Sequence, residues 1–518
     1  MIRLLLIVCL LNPSMTWADQ EEVNLKSLFE HLDAWALEQA QSGLGLLKEA
    51  EVDPVGLLVF KARLAFLRGR YKGAISHLGQ AQRALPGDKQ LKSLLELYER
   101  TEKTVRDFKT VVSPKGYFVI AFQPGVDQVL SSYAGEALDA AYDELGNLLQ
   151  LRPAEPIRVE IYPRVEDLAE VSPLKASEIR ASGTIALCKY NRLMIVSPRA
   201  LVYGYPWLDT LTHEYVHMLI TKRSRNKVPI WLHEGMAKFL ENRWREQKNA
   251  VLLPMSRDLL ARAIKKKKLI RFEAMSPSIA KLPSQDQAAL AFAQVFTVMQ
   301  MLVEKGGVES LNLLIDSMRD GMSDQEAVAK VAQKSFRRFY REWRSYLYKQ
   351  GYKALPDHAP GRLLFRGSDN ASDELKTIPE SRARSLTYLG DRLTVTKRYK
   401  AAEKEYSKAM KNVGLASPII SAKLATVLLK QGKHKAVLRV VAKAIKLDPN
   451  HVLLHLYRAK SMIVMGDYEA AKKELIWVVR INPFDTEVHE LLAKVLGKLG
   501  KRSEAESARR NARLVNGS

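Results

Sequence analysis

Two histidines, His213 and His217, stand four residues apart in the stretch His213-Glu214-Tyr215-Val216-His217. On a helix, residues four apart lie one above the other, so both imidazoles project from one face and can grip a single metal ion. Glu214, next to the first histidine, can reach a water on that ion rather than the ion itself. After a polar loop comes Trp231-Leu232-His233-Glu234-Gly235-Met236-Ala237. The gap from His217 to Glu234 leaves room for a short loop and a second helix folded back beside the first. Two neutral imidazoles and a carboxylate make the His₂Glu donor set of catalytic zinc, which keeps a fourth position for water.

The elements around these residues follow from periodicity. Leu208, Leu211, Val216, Leu219 and Ile220 form an apolar stripe at helical spacing, so His213 and His217 ride on a helix with a buried face. Pro229 suits the start of the second helix, which carries Glu234. Upstream, residues 117–122 and 157–161 predict strands, with a helix from 127 to 149 between them. Residues 184–188 and 193–196 predict a hairpin around Asn191. Downstream, Ser284 caps a long helix, and Phe336, Phe339, Trp343 and Tyr346 make an aromatic core stripe. Strands first and helices later imply an α+β domain.

H-E-x-x-H paired with W-L-x-E-G-x-A resembles the gluzincin metallopeptidases, of the branch called peptidase-MA-like. The resemblance implies Zn²⁺ as cofactor, with His213, His217 and Glu234 as metal ligands and Glu214 as catalytic general base. It also implies a zincin-like fold and hydrolysis of peptide bonds, with residues 184–188 as the sheet-edge strand that pairs with a substrate backbone. Asp209 and Glu241 are candidates to orient the ligands. Related domains carry a Tyr as oxyanion donor where this chain has Phe292. Tyr203, Tyr205, Tyr215 and His233 are the alternatives, and the sequence does not choose among them; His233 is expected to point away from the metal.

A chain of 518 residues implies more than one domain. The formal charge of +24 suggests an acidic environment or partner, such as anionic lipid headgroups or an envelope polymer. Only 265–268 form a tight basic run, no aromatics interleave with it, and no nucleic-acid motif is present. Arg3, the apolar run 4–11 and Thr16-Trp17-Ala18 read as a cleavable signal over residues 1–18, hence an exported protein, periplasmic or secreted. Val8 before Cys9 argues for cleavage over lipidation. Cys188 is then the sole cysteine, which excludes an intrachain disulfide or a thiolate metal cluster. No later stretch reads as a transmembrane segment.

Gly432, Gly466 and Gly500 recur at about the 34-residue period of tetratricopeptide (TPR) helix pairs, as do Pro449 and Pro483. Ala471 and Ala505 follow their glycines at the same step, and an earlier copy with Tyr399 and Ala402 lacks the glycine. Residues 57–86 carry one further copy, with Gly69, Tyr71 and Ala74. The expected order is a signal peptide at 1–18, a helical TPR-like region at 19–110 and the gluzincin-like domain at 111–350. A linker at 351–384, free to let the array swing, and a C-terminal TPR array at 385–518 complete it.

Three functions fit. The first is an exported zinc peptidase, an endopeptidase, that hydrolyses a protein or peptide substrate and uses its TPR arms to recruit substrate or a protein partner. The second is a non-catalytic envelope scaffold with a structural or vestigial zinc site. The third is a zinc hydrolase acting on an envelope polymer.

Overall fold

In the computed structural model the described residues are 24–47, 52–245, 251–276, 278–355, 363–366, 375, 378, 380–413 and 417–517. The signal expected at 1–18 and most of the linker expected at 351–384 lie outside them. The chain is mostly helical and forms two units, one ending at Leu95 and one beginning at Glu96.

The first unit holds α1 (Leu25–Asp33), α2 (Leu37–Leu46), α3 (Pro54–Leu67) and α4 (Tyr71–Ala84), followed by the start of α5 (Lys89–Val105). Asp53 caps α3 through the N–H groups of Val55 and Gly56. Gly69 makes the α3–α4 turn at φ +72°, and Ala74 is wholly buried between the pair. That is the helix-pair grammar read from residues 57–86.

In the second unit a five-stranded sheet runs in the order β1-β2-β3-β5-β4. Its strands are β1 (Lys109–Val112), β2 (Phe118–Phe122), β3 (Ile157–Tyr162), β4 (Ala186–Lys189) and β5 (Arg192–Val196). β2, β3 and β5 are parallel to one another, and β1 and β4 are antiparallel edges. The central strands are apolar almost throughout because both faces are covered, which is the usual reading of a parallel core. Tyr190 and Asn191 turn β4 into β5, both at positive φ. α6 (Gln128–Leu148) follows β2, and α7 (Val165–Glu170) and α8 (Ala176–Ser182) follow β3.

α9 (Trp207–Ser224) packs on β4, β5 and α6, and α10 (Ile230–Leu240) folds back beside it. Further helices complete this region: α11 (Pro254–Lys265), α12 (Gln285–Gly306), α13 (Glu309–Arg319), α14 (Asp324–Ala332) and α15 (Phe336–Lys349). Gly235 lets α12 come close to α10, since a Cβ there would stand 3.1 Å from the Val295 carbonyl oxygen. α12 corrects one expectation. By length and composition it is apolar enough to cross a membrane, yet 61% of its most apolar window is buried inside the protein. Its apolar residues are spent on α10, α11 and α13.

The C-terminal array stacks α16 (Ser381–Val395), α17 (Tyr399–Val413), α18 (Pro418–Lys430), α19 (His434–Leu447), α20 (Val452–Val464), α21 (Tyr468–Val479), α22 (Thr486–Lys498) and α23 (Arg502–Asn516) as successive pairs. Gly432, Gly466 and Gly500 turn the pairs at φ between +70° and +81°. Lys397 fills the same place in the copy without a glycine, at φ +57°.

The array does not hang on a swinging tether. The Tyr205 N–H donates to the Ile481 carbonyl at 3.1 Å, and Trp207 Nε1 donates to the Val479 carbonyl at 3.3 Å. Arg245 lies over the Trp477 ring and Arg480 over the Trp244 ring. Within the expected linker, the N–H of Arg366 bonds to the Ala200 carbonyl, and the Leu364 carbonyl accepts from Val202.

Candidate metal centre

α9 and α10 bring His213, His217 and Glu234 together. His213 Nε2 and His217 Nε2 are 3.1 Å apart, and Glu234 Oε2 lies 3.1 Å from the first and 3.3 Å from the second. Donor atoms held 2.0–2.1 Å from a tetrahedral zinc stand about 3.3 Å from one another, so this triangle has the right size for one such ion. Both ring nitrogens face a single carboxylate oxygen, and a cation among them satisfies all three lone pairs at once. The set fits zinc.

Glu214 lies beside the triangle, its ligand atom within 4.8 Å of those of His213 and His217. Its carboxylate also interacts with the backbone N–H of Cys188 on β4. Burial raises its pKa, and the neighbouring imidazoles only partly counter that. β4 is therefore both the outer strand of the sheet and a neighbour of Glu214.

The imidazoles are fixed from behind. His213 Nδ1 lies 3.2 Å from Glu241 Oε2, and Glu241 is itself held by Lys238 Nζ at 2.6 Å. His217 Nδ1 lies 2.8 Å from His233 Nδ1. His233 thus points at a ligand rather than away from it, contrary to expectation, because its side chain packs inward between α10 and α9. Burial and the neighbouring His217 push the His233 pKa down to about 3, which makes it a neutral partner. Burial opposes charge on His213, but the hydrogen bonds to Glu234 and Glu241 prevail and carry its pKa up to about 10. Burial likewise opposes the Glu234 charge, yet the facing imidazoles hold its carboxyl well below the usual range. A cation is what this pocket of carboxylates favours.

Of the two candidate orienting carboxylates, Glu241 meets a histidine of the set and Asp209 is engaged elsewhere. Asp209 accepts from Trp244 Nε1 at 3.0 Å and pairs with Arg245. The segment 241–245 therefore joins the His213 partner, the start of α9 and the rings of the repeat array.

The three candidate tyrosines are engaged away from the His213, His217 and Glu234 donors. Tyr215 turns into the sheet against Phe118 and Tyr142, and the Tyr205 hydroxyl donates to the Val196 carbonyl. Tyr203 packs on His451. Phe292 stands edge-on to His213, with ring centroids 6.0 Å apart.

A model of the Peptidase MA superfamily matches residues 128–349, and a tetratricopeptide repeat model matches residues 428–495. A peptidase MA domain followed by TPR repeats is thus what the chain contains. Over 79 residues it is 34% identical to the tetratricopeptide repeat and J domain-containing co-chaperone DNJ1 of Cryptococcus neoformans var. grubii serotype A. That stretch is 15% of this chain and 15% of the curated relative. Among solved structures it is similar to YrrB, a TPR protein with an unusual peptide-binding site, at 18% identity and TM-score 0.25, covering 29% of this chain and 81% of that one. It is also similar to Cut9 with Hcn1 from an APC/C hetero-tetramer, at 11% identity and TM-score 0.28, covering 94% and 82%. At these scores the structural likenesses carry no argument.

Proposed function

We propose that the chain is an exported zinc-dependent endopeptidase of the gluzincin type, with a zincin-like α+β domain, whose repeat array recruits a protein substrate or partner. One observation carries this reading: His213 Nε2, His217 Nε2 and Glu234 Oε2, from two helices, lie within 3.3 Å of one another with the Glu214 carboxylate alongside. Zinc bound there would supply a Lewis acid that polarises a carbonyl and acidifies water.

The chain's own groups do the rest. β4, the outer strand, offers its main chain to an extended peptide and so sets the scissile carbonyl beside Glu214. The Glu214 carboxylate takes a proton from the attacking water and delivers it to the departing amine nitrogen. Glu241 and His233 hold the two imidazoles, so the donors need no reorganisation during turnover.

Phe292 favours a second reading, an envelope scaffold with a vestigial site, because its ring brings no hydroxyl to His213. Losing one oxyanion donor costs about 10² to 10³ in rate. Glu214→Gln separates the two readings. A peptidase retains zinc and loses cleavage of a denatured protein in that variant. Full activity in Glu214→Gln would remove Glu214 from the mechanism, and stoichiometric zinc without turnover in the unmodified chain would support the scaffold.

A further inference from the structure

A cavity of 510 Å³ opens elsewhere in the fold, and none of its lining residues belongs to α9 or α10. It lies where the three parallel strands end. Val126 follows β2, Pro163 and Arg164 follow β3, and Arg199 follows β5. Open parallel sheets present their ligand crevice at these carboxyl ends. Phe365 closes the cavity from the segment 363–366, and Phe484 and Val515 close it from the repeat array. Its volume falls within the usual range for small-ligand pockets, about 300–1,000 Å³.

The chemistry of the walls is divided. Phe365, Phe484, Val126 and Val515 make an apolar part, whereas Arg164, Arg180, Arg199 and Arg366 make a cationic one. Three of these arginines are already matched: Arg164 by Asp167, Arg180 by Glu166 and Arg199 by Asp127. Arg366 is not. Its Nε donates to the Leu201 carbonyl at 3.2 Å, and it meets no carboxylate among the described residues. Among the described residues, Arg366 is thus the one lining arginine without a carboxylate partner, and its exposed guanidinium keeps N–H groups suited to a planar carboxylate. A dianion such as phosphate would leave one charge unmatched beside an apolar wall.

From this division we propose that the cavity binds a monocarboxylate with an apolar body, its carboxylate on Arg366 and its body against Phe365 and Phe484. Two sources share that chemistry: the free carboxyl terminus of a peptide and a free organic acid. Because the wall is built from both the peptidase MA domain and the array, occupancy would tie them together at a place separate from the metal centre.

Calorimetric titration of the full chain carrying Glu214→Gln tests this without consuming a peptide probe. The probes are N-acetyl-Leu-Phe, its C-terminal amide, and octanoate. The carboxylate probes are expected to bind, with the amide weaker by about ten-fold or more. Tighter binding of the peptide acid assigns the site to peptide termini, and tighter binding of octanoate assigns it to organic acids. Arg366→Ala is expected to weaken binding about ten-fold. Val515→Trp, which leaves all four arginines in place and puts an indole at the array side of the cavity, should abolish binding, and it decides the matter if Arg366→Ala fails to fold. Equal binding of acid and amide, retained binding in Val515→Trp, or no binding of either acid up to about 10 mM overturns the proposal.

Discussion

Glu241 offers the sharpest perturbation of the metal centre that leaves its ligands in place. Glu241 Oε2 sits 3.2 Å from His213 Nδ1, and Oε1 sits 2.6 Å from Lys238 Nζ. With Nδ1–H donating to Glu241, the lone pair of His213 Nε2 faces Glu234 and His217. Glu241→Gln keeps the shape and removes the charge. The amide oxygen still accepts from Nδ1, but a charge-assisted bond, roughly twice as strong as a neutral one, is lost. Both partners are largely buried, so solvent screens little of that loss. Losing an outer partner of a metal-bound imidazole costs about 10- to 100-fold in metal affinity. Glu241→Gln belongs near the lower end, about ten-fold. Glu241→Ala, which frees the ring altogether, belongs near the upper end, about 3 kcal/mol. The assay is zinc competition against a chromophoric chelator. Zinc affinity within two-fold of the parent in Glu241→Ala would refute this account of how His213 is held.

Two further outcomes follow from other parts of the structure. Gly204 sits at φ +74°, and a Cβ there would stand 2.2 Å from the Ile481 carbonyl oxygen; Gly204→Ala should therefore loosen the docked array and cost about 2 kcal/mol or more, visible as a lowered melting temperature, and an unchanged one would contradict the docking. Burial pushes the Asp209 carboxyl up to about 6 although Arg245 pulls the other way. A folded-state pKa above the unfolded one stabilises most fully below about pH 4, and that contribution drains away as pH rises through about 6. Relative to Asp209→Asn, the parent should lose roughly 2 kcal/mol of stability between pH 4 and pH 7, and parallel denaturation-versus-pH curves would count against this.

The ligand pair was legible because its spacing is set by a helix, and helical spacing depends only on the local chain. The same holds for the turns at Gly432, Gly466 and Gly500, where the left-handed backbone calls for glycine. β2 and β3 announced themselves through aromatic and β-branched runs. β1 did not, since all four of its residues are exposed and Lys109–Val112 shows no alternation. What the sequence hid was mostly long-range. The role of His233 depends on the rotation of α10 against α9, which one residue beside Glu234 cannot report. The array's seat on the Trp207 and Tyr205 segment involves backbone carbonyls at 479 and 481, which carry no side-chain signature. The arginines of the cavity are scattered from 164 to 366 and meet only through the sheet topology.

Absorption-edge spectroscopy of the zinc-loaded full chain, with metal content measured in parallel, tests the central claim most directly. The account predicts one zinc per chain with two imidazole nitrogens and carboxylate oxygen at about 2.0–2.2 Å, and loss of that metal in Glu234→Ala. Zinc far below one per chain, or an unchanged ligand shell in Glu234→Ala, would contradict it.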